Sequence, residues 1–196
     1  MTGRALRRWI AGAGGAALAA QLAGYTVLAR LDPAGVSRRT WEAPVDRGRL
    51  RIVYPGNWTL ESSGDGPVFR VSMRGPAGVW MEVTGSRALK ALSERPAVDG
   101  ERRMDPLQRA HRALESECRR GLARYSGGAS LGSGALGRES LLSFYSAVRD
   151  GRPVRGFRHT CIGEERVWSV RGECPAGIWA RTAPVLDGLV RRMELP

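Results

Sequence analysis

The feature that most constrains this chain is an uncharged stretch of 21 residues, Trp9–Ala29, close to its N-terminus. Arg4, Arg7 and Arg8 precede the stretch, and Arg30 follows it. Because a helix rises 1.5 Å per residue, this length reaches about 30 Å, the thickness of the hydrocarbon core of a bilayer. The sequence therefore predicts that the chain meets a membrane.

Two hypotheses stay open for residues 9–29. Retention as a transmembrane anchor is favoured because the apolar run is longer than the core of most signal peptides. Small residues at four-residue spacing would also let a second transmembrane helix approach closely, and one such ridge comprises Gly12, Ala16, Ala20 and Gly24. Cleavage as a signal is favoured by Val27 and Ala29 near the end of the stretch. The basic tail, residues 1–8, predicts a cytoplasmic N-terminus and an exported remainder.

The charge of the chain points to anionic partners. Lys and Arg number 31 against 19 Asp and Glu, a formal net charge of +12, and Lys90 is the only lysine. Such an excess favours lipid headgroups, acidic polymers or an acidic protein face. The arginines are scattered along the chain and no nucleic-acid-binding module is recognisable, so we expect no binding of nucleic acid.

After the apolar stretch, the pattern predicts a linker and then one folded domain. Residues 30–46 lack periodicity and contain Pro33, Gly35 and Pro44, which is typical of a tether. Residues 47–196 suffice for a single domain with a hydrophobic core and are too few for two.

Within residues 47–196, the spacing of the apolar residues changes from the two-residue period of strands to the period of helices, and then back to that of strands. Two-residue alternation predicts strands at 49–54, 58–61, 69–74, 79–84, 140–148, 154–162 and 167–174. Helix starts at Ser86, at Asp105-Pro106 and near Thr182 predict helices at 86–95, at 105–125 and from 182 onwards. Strands, helices, strands and a last helix indicate an α+β fold, an antiparallel sheet covered by helices and preceded by one N-terminal transmembrane helix.

Several segments resemble the PsbP-like family. The first strand and its turn, Tyr54-Pro55-Gly56-Asn57-Trp58, look like that family's strand-Tyr-Pro-x-x-Trp opening. A glycine-rich lead into a strand at 132–148, an aromatic return strand at 166–170 and a closing segment at 174–193 follow in the same order. The resemblance covers roughly residues 48–194. It implies an exported, usually non-enzymatic sandwich of sheet and helices, whose best-known members are extrinsic subunits on the lumenal face of a photosynthetic membrane complex.

Two glycine-rich motifs have sequences that can carry chemistry. The segment 128–132 places Ser130 in a Gly-x-Ser-x-Gly pattern, with Asp150 and His159 further along the chain, as in serine hydrolases. The segment 132–137 fits the dinucleotide fingerprint, but its glycine content favours a flexible loop. In hydrolases the Gly-x-Ser-x-Gly pattern forms a sharp turn, the nucleophile elbow, with a strand before it and a helix after it. The dinucleotide fingerprint needs the same context. Here a helix pattern precedes both motifs and a strand pattern follows them. We therefore predict no catalytic residue and no cofactor.

The three cysteines, Cys118, Cys161 and Cys174, allow two interpretations. One is a disulfide between Cys118 and either of the others, since the hairpin register would hold Cys161 and Cys174 too far apart. The other is three buried free thiols. The spacings match no zinc motif, so no metal site is predicted, and His111 and His159 are expected to be structural.

Two tryptophans are candidate interface residues. Trp80 lies on the opposite side of its predicted strand from Met81, and Trp41 lies in the predicted linker. Our first hypothesis is a single-pass, non-catalytic accessory subunit, whose exported domain docks on the outer face of a photosynthetic or other energy-transducing integral membrane complex. The second is a secreted binding module for an anionic ligand or envelope polymer. A small serine hydrolase using Ser130 is a remote third.

Overall fold

The computed structural model describes residues 37–64, 66–95 and 104–196. In these ranges ten strands and three α-helices form. The strands are β1 (Arg38–Val45), β2 (Gly48–Pro55), β3 (Thr59–Ser63), β4 (Val68–Arg74), β5 (Trp80–Ser86), β6 (Ala123–Gly127), β7 (Leu131–Ser133), β8 (Ser140–Arg149), β9 (Arg152–Ile162) and β10 (Val167–Pro175). The helices are α1 (Arg87–Glu94), α2 (Pro106–Gly121) and α3 (Trp179–Val190).

The predicted anchor, residues 9–29 with its ridge of Gly12, Ala16, Ala20 and Gly24, lies outside the described residues. Among the helices that are described, none has both the length and the apolar character of a membrane span.

The main sheet joins eight of the described strands, all antiparallel. Its order is β3-β4-β5-β10-β9-β8-β6, and β7 also pairs with β8. A separate hairpin, β1-β2, packs against this sheet. The predicted α+β class, with an antiparallel sheet covered by helices, is confirmed.

The two faces of the main sheet differ in chemistry, because alternate residues along each strand point to opposite sides. The first face, here called the apolar face, is covered by the β1-β2 hairpin and α3, and the main core lies there. Its central residues are Phe69, Val71, Met73, Met81, Val83, Trp168 and Val170. The opposite, polar face lies partly beneath α1 and α2, and it carries Trp80, Tyr145, Arg158, Thr160, Arg171 and Glu173.

The prediction of a linker at residues 30–46 is wrong for residues 38–45, because these residues form β1. This strand pairs with β2, and the ladder runs from the pair Arg38 and Pro55 to the pair Val45 and Gly48. No alternation marked this strand in the sequence, since it is an edge strand whose residues are mostly exposed. At the hairpin turn, Asp46 accepts hydrogen bonds from Arg166 at 2.6 and 3.0 Å, and both side chains are buried. The hydrogen bonds from Arg166 lower the pKa of Asp46 and join the hairpin to the main sheet.

The starts of α1 and α2 agree with the predicted caps. The side chain of Ser86 accepts from the backbone N–H of Leu89 at 3.2 Å, and that of Asp105 accepts from Gln108 at 2.8 Å. The predicted end of α2 at residue 125 is wrong: the helix ends at Gly121, and residues 123–127 form β6. Pairing with β8 overrides the helical period there.

Two further predictions need correction near the end of the chain. The glycine-rich segment 132–137 is not a loop throughout, because residues 131–133 form β7 beside β8. The last helix begins at Trp179 and contains Pro184 in its interior, whereas the sequence pattern placed its start near Thr182. Pro184, a residue type that favours the first turn of a helix, therefore lies in the second turn of α3.

Candidate functional site: an arginine cleft around Trp80

A cleft of about 620 Å³ opens on the polar face where β10 ends. Its lining includes Arg74, Trp80, Arg149, Arg152 and Glu173, and we call it the arginine cleft. The β-ladders bring these residues together, since Trp80 lies between Arg74 on β4 and Glu173 on β10. The other two arginines face each other at the tip of the β8-β9 hairpin.

The hairpin tip has the geometry that its sequence predicts. Asp150 and Gly151 both have positive φ, 50° and 75°, as in the two-residue turns that Asp-Gly favours. The turn is tight enough to keep Arg149 and Arg152 adjacent at the mouth of the cleft. The local sequence therefore positions two cations at one edge of the site.

A buried carboxylate holds one of these arginines in place. Glu173 is only 4% exposed, and Arg149 donates to both of its oxygens, at 2.5 Å from Nε and 3.1 Å from Nη2. The Tyr145 hydroxyl donates to the same carboxylate at 2.9 Å. Burial, followed by the charge of Glu173, raises the pKa of Tyr145, so its hydroxyl stays protonated as a donor. The hydrogen bonds to Glu173 likewise raise the pKa of Arg149.

Trp80 provides an aromatic wall between cations. The Cζ atom of Arg171 lies 4.5 Å from the centre of the Trp80 ring, and that of Arg149 lies 5.6 Å away. Both distances lie within the range of cation–π attraction. The ring is neither fully buried nor fully exposed, so one part of it remains available to a partner.

The charge of the cleft is positive after its internal pairs are counted. Glu173 is used by Arg149, while Arg74 and Arg152 are exposed at the rim. Asp150 is the other acidic residue that lines the cleft. Guanidinium groups bind carboxylates and phosphates in a bidentate manner, so this arrangement suits an anionic group next to an apolar one.

Of the two predicted interface tryptophans, the structure places one in the cleft. Trp80 forms its wall, and it lies on the opposite face of β5 from Met81, as the strand alternation predicted. Trp41 lies instead on β1, where its ring centre is 6.3 Å from that of Phe69 and the residue packs against the main core. The two are on different sides of the main sheet, so they do not form one surface.

The cysteines and histidines are buried. Cys118, Cys161 and Cys174 are all free thiols in the structure, which agrees with the second of the two sequence interpretations. Burial lowers the pKa of both His111 and His159 to about 4, so each ring is neutral near pH 7. In the ranges that the structure describes, no three acidic, histidine or cysteine residues come together as a metal site.

Ser130 does not have the surroundings of a hydrolase nucleophile. It lies exposed between β6 and β7, two strands, whereas an elbow joins a strand to a helix. His159, the base that the hydrolase hypothesis would need, is a buried ring on the apolar face.

Sequence reasoning missed most of the cleft. Arg149, Arg152 and Glu173 were not among the predicted site residues. One signal was available, since an acidic residue in the middle of an apolar strand, between Gly172 and Cys174, requires a partner when it is buried. The identity of that partner depends on strand pairing, which the local sequence does not reveal.

No protein-family model matches this chain, and no curated protein matches it significantly. Solved structures do match. The solution structure of cyanobacterial PsbP (CyanoP) from Synechocystis sp. PCC 6803 superposes with a TM-score of 0.51, at 14% identity, over 83% of this chain and 95% of that one. The domain has a PsbP-like fold.

Two other solved structures superpose with TM-scores below 0.5. A Pseudomonas aeruginosa protein of unknown function has a TM-score of 0.48 and 13% identity, over 81% of this chain and 97% of that one. LpqN of Mycobacterium tuberculosis, involved in cell envelope biogenesis, has a TM-score of 0.42 and 14% identity, over 80% and 91%. At these identities, the PsbP-like similarity concerns the fold alone.

Proposed function

We propose that this chain is a non-catalytic accessory protein, anchored in a membrane by residues 9–29, whose exported domain docks on an acidic face of an integral membrane protein complex. Docking uses the arginine cleft. The observation that carries the proposal is the cleft itself, where the partly exposed Trp80 lines the same surface as the exposed Arg74 and Arg152, neither of which forms an ion pair with a described carboxylate.

The residue types that line the cleft favour binding of a protein partner over catalysis. Tryptophan and arginine are the residues that most often dominate binding energy at protein interfaces. The buried Glu173 pairs with Arg149 and thereby preorganises the surface before a partner arrives. The charge of the rim would also speed the encounter with an acidic surface.

A matched pair of charge reversals tests the docking surface. Arg152→Glu alters the cleft, whereas Arg47→Glu makes the same change of net charge near Glu165, at the opposite end of β10. Each tagged full-length variant is expressed in its native host, cross-linked in intact membranes and purified in mild detergent. We expect roughly a tenfold loss of cross-linked partner for Arg152→Glu and little change for Arg47→Glu. Equal recovery with both variants would reject docking through the cleft.

The anchor is tested separately. A C-terminal reporter that is active only outside the cytoplasm should be active in the full chain, and sequencing the N-terminus of the native protein should find residues upstream of Arg30. A chain that starts at Arg30 would support the second candidate function, a secreted module that binds an anionic envelope polymer through the same cleft. In that case the Arg152→Glu variant should lose binding to the polymer instead of to a membrane complex.

A further inference from the structure

A second cationic cluster lies inside the polar face, beneath the last turn of α2. There the sulfur of Cys118 contacts the guanidinium groups of two neighbouring strands. Arg171 donates from Nη1 at 2.9 Å, and Arg158 donates from Nη2. Cys118 and Arg158 are 5% and 1% exposed. We call these three residues the thiol cluster.

The thiol cluster contains more hydrogen-bond donors than acceptors. Nη1 of Arg158 and Nε of Arg171 are buried and have no hydrogen-bond partner among the described residues. The hydroxyl of Ser143, across the β8-β9 ladder from Arg158, is also without a partner there. Within the same ranges, no carboxylate forms an ion pair with Arg158. Buried donors and buried charge both cost free energy until an acceptor is supplied.

The other two cysteines have the opposite surroundings. Cys161 and Cys174 belong to the hydrophobic core on the apolar face. Burial raises the pKa of the Cys161 thiol to about 12 and that of Cys174 to about 11, so both remain protonated near pH 7. Among the residues that the structure describes, Cys118 is therefore the one buried thiol that receives hydrogen bonds from guanidinium groups.

Positive groups beside a cysteine favour the thiolate, and the thiolate is the form that attacks an oxidant. The thiol cluster also lies next to the arginine cleft. Arg171 is half-buried and stacks on Trp80, which forms the wall of the arginine cleft. Arg171 therefore contacts both Cys118 and a residue that lines the cleft.

We propose that Cys118 is a site of oxidation by peroxide, and that Arg158 and Arg171 hold the resulting sulfenic acid. The Cys118 thiolate attacks one oxygen of hydrogen peroxide, an S–O bond forms and the O–O bond breaks. The sulfur gives two electrons to the peroxide, whose other oxygen leaves as hydroxide, and the oxygen bound to sulfur keeps its proton. That oxygen supplies the acceptor which the free N–H groups of the cluster lack.

The test compares the three cysteines within one protein. Purified full-length protein in detergent is treated with hydrogen peroxide at neutral pH, and dimedone traps sulfenic acid. Peptide mass spectrometry then measures dimedone adducts and higher oxides at each cysteine over time. We expect Cys118 to be modified roughly tenfold faster than Cys161 and Cys174. After unfolding in guanidinium chloride, the three rates should converge. A native rate at Cys118 no higher than at the other two would overturn the proposal.

A second comparison tests the role of the guanidinium groups. Arg171→Gln removes one cation from the cluster, while Arg155→Gln removes an exposed arginine of β9 on the other face. We expect the rate at Cys118 to fall roughly fivefold in Arg171→Gln and to be unchanged in Arg155→Gln. An unchanged rate in both variants would also reject the proposal. Should Arg171→Gln fail to fold, the native comparison of the three cysteines decides by itself.

Discussion

Both faces of the main sheet contain fully buried side chains, but the two faces are covered by different means. On the apolar face, the β1-β2 hairpin and α3 supply Leu50, Ile52, Leu186 and Leu189, each with no exposed surface. On the polar face, Arg158 and Glu173 are almost as inaccessible, at 1% and 4%. Fully buried side chains therefore occur on both faces.

What distinguishes the faces is how burial is compensated. Removal of apolar surface from water stabilises the first face directly, at about 25 cal/mol per Å². On the second face, each buried charge needs a partner, and that requirement is met at Glu173 but not at Arg158. We infer that the apolar face provides most of the stability, whereas the polar face provides the arginine cleft and the thiol cluster. Four predictions test this division, in order of decreasing effect on stability.

Truncating the apolar face should cause the largest loss. Trp168 is 1% exposed and lies against Gly85, where an added Cβ would come within 2.8 Å of its ring. Trp168→Ala is expected to lower the free energy of unfolding by about 3–5 kcal/mol, through lost transfer energy and an unfilled cavity. Urea unfolding followed by circular dichroism measures it. Leu131→Ala, at a residue 56% exposed, is the control and should change little; a similar loss in both would contradict the division.

Acid should weaken both faces through one histidine each. Burial lowers the pKa of His159 on the apolar face and of His111 above the polar face to about 4. The unfolded chain therefore takes up protons first, so this stability is complete above pH 6.5 and is lost as pH falls from 6.5 to about 4. We expect a loss on the order of 2 kcal/mol per histidine. Unfolding free energies at pH 7 and pH 4.5 measure it, and His159→Gln should reduce the difference; an unchanged difference would argue against a neutral His159.

Removing the Trp80 side chain should lower the stability of the domain only slightly, but it should abolish most of the binding to the partner complex. The ring loses its contacts with Arg149 and Arg171, which together contribute about 1 kcal/mol at a partly exposed site. Trp80→Ala should therefore lower the melting temperature by only a few degrees. Cross-linking to the partner complex should nevertheless fall as far as in Arg152→Glu. Wild-type cross-linking by a stable Trp80→Ala protein would show that the cleft is not the docking surface.

Replacing Arg158 should have the smallest effect on stability. Because no described carboxylate pairs with it, Arg158→Met removes a buried charge without leaving an opposite charge behind. We expect the free energy of unfolding to stay within about 1 kcal/mol of wild type, or to rise. Oxidation at Cys118 should slow in the same variant. A loss above about 3 kcal/mol would mean that Arg158 has an anionic partner in the folded protein.

Much of the fold could be predicted because its signals are local. The alternation of Phe69, Val71 and Met73 marks a strand with one buried face, and each of these residues is buried in the structure. The caps at Ser86 and Asp105 likewise mark helix starts that the structure contains. Such features depend on residues a few positions apart, so the sequence displays them directly.

The errors occurred where distant pairing overrides local preference. The apolar stripe of α2 continues to Leu122 and Tyr125, yet β6 replaces the helix because β8 offers a strand to pair with. The strand β1 has no local signal and exists through its ladder with β2 and the contact between Asp46 and Arg166. In both places the structure is decided by a strand pairing or a contact that the residues of the segment itself do not reveal.

By itself, the sequence determined an apolar N-terminal stretch of membrane-spanning length, a basic α+β domain and the core positions of most strands, because hydrophobic period and length are properties of contiguous residues. Only the tertiary structure decided that Glu173 meets Arg149, that two arginines meet Cys118 and that Trp80 lines a cleft while Trp41 joins the core. The hydrogen bonds among these contacts join residues up to 53 positions apart in the chain. Their chemistry follows from which strands become neighbours, and strand order is set by the packing of the whole domain.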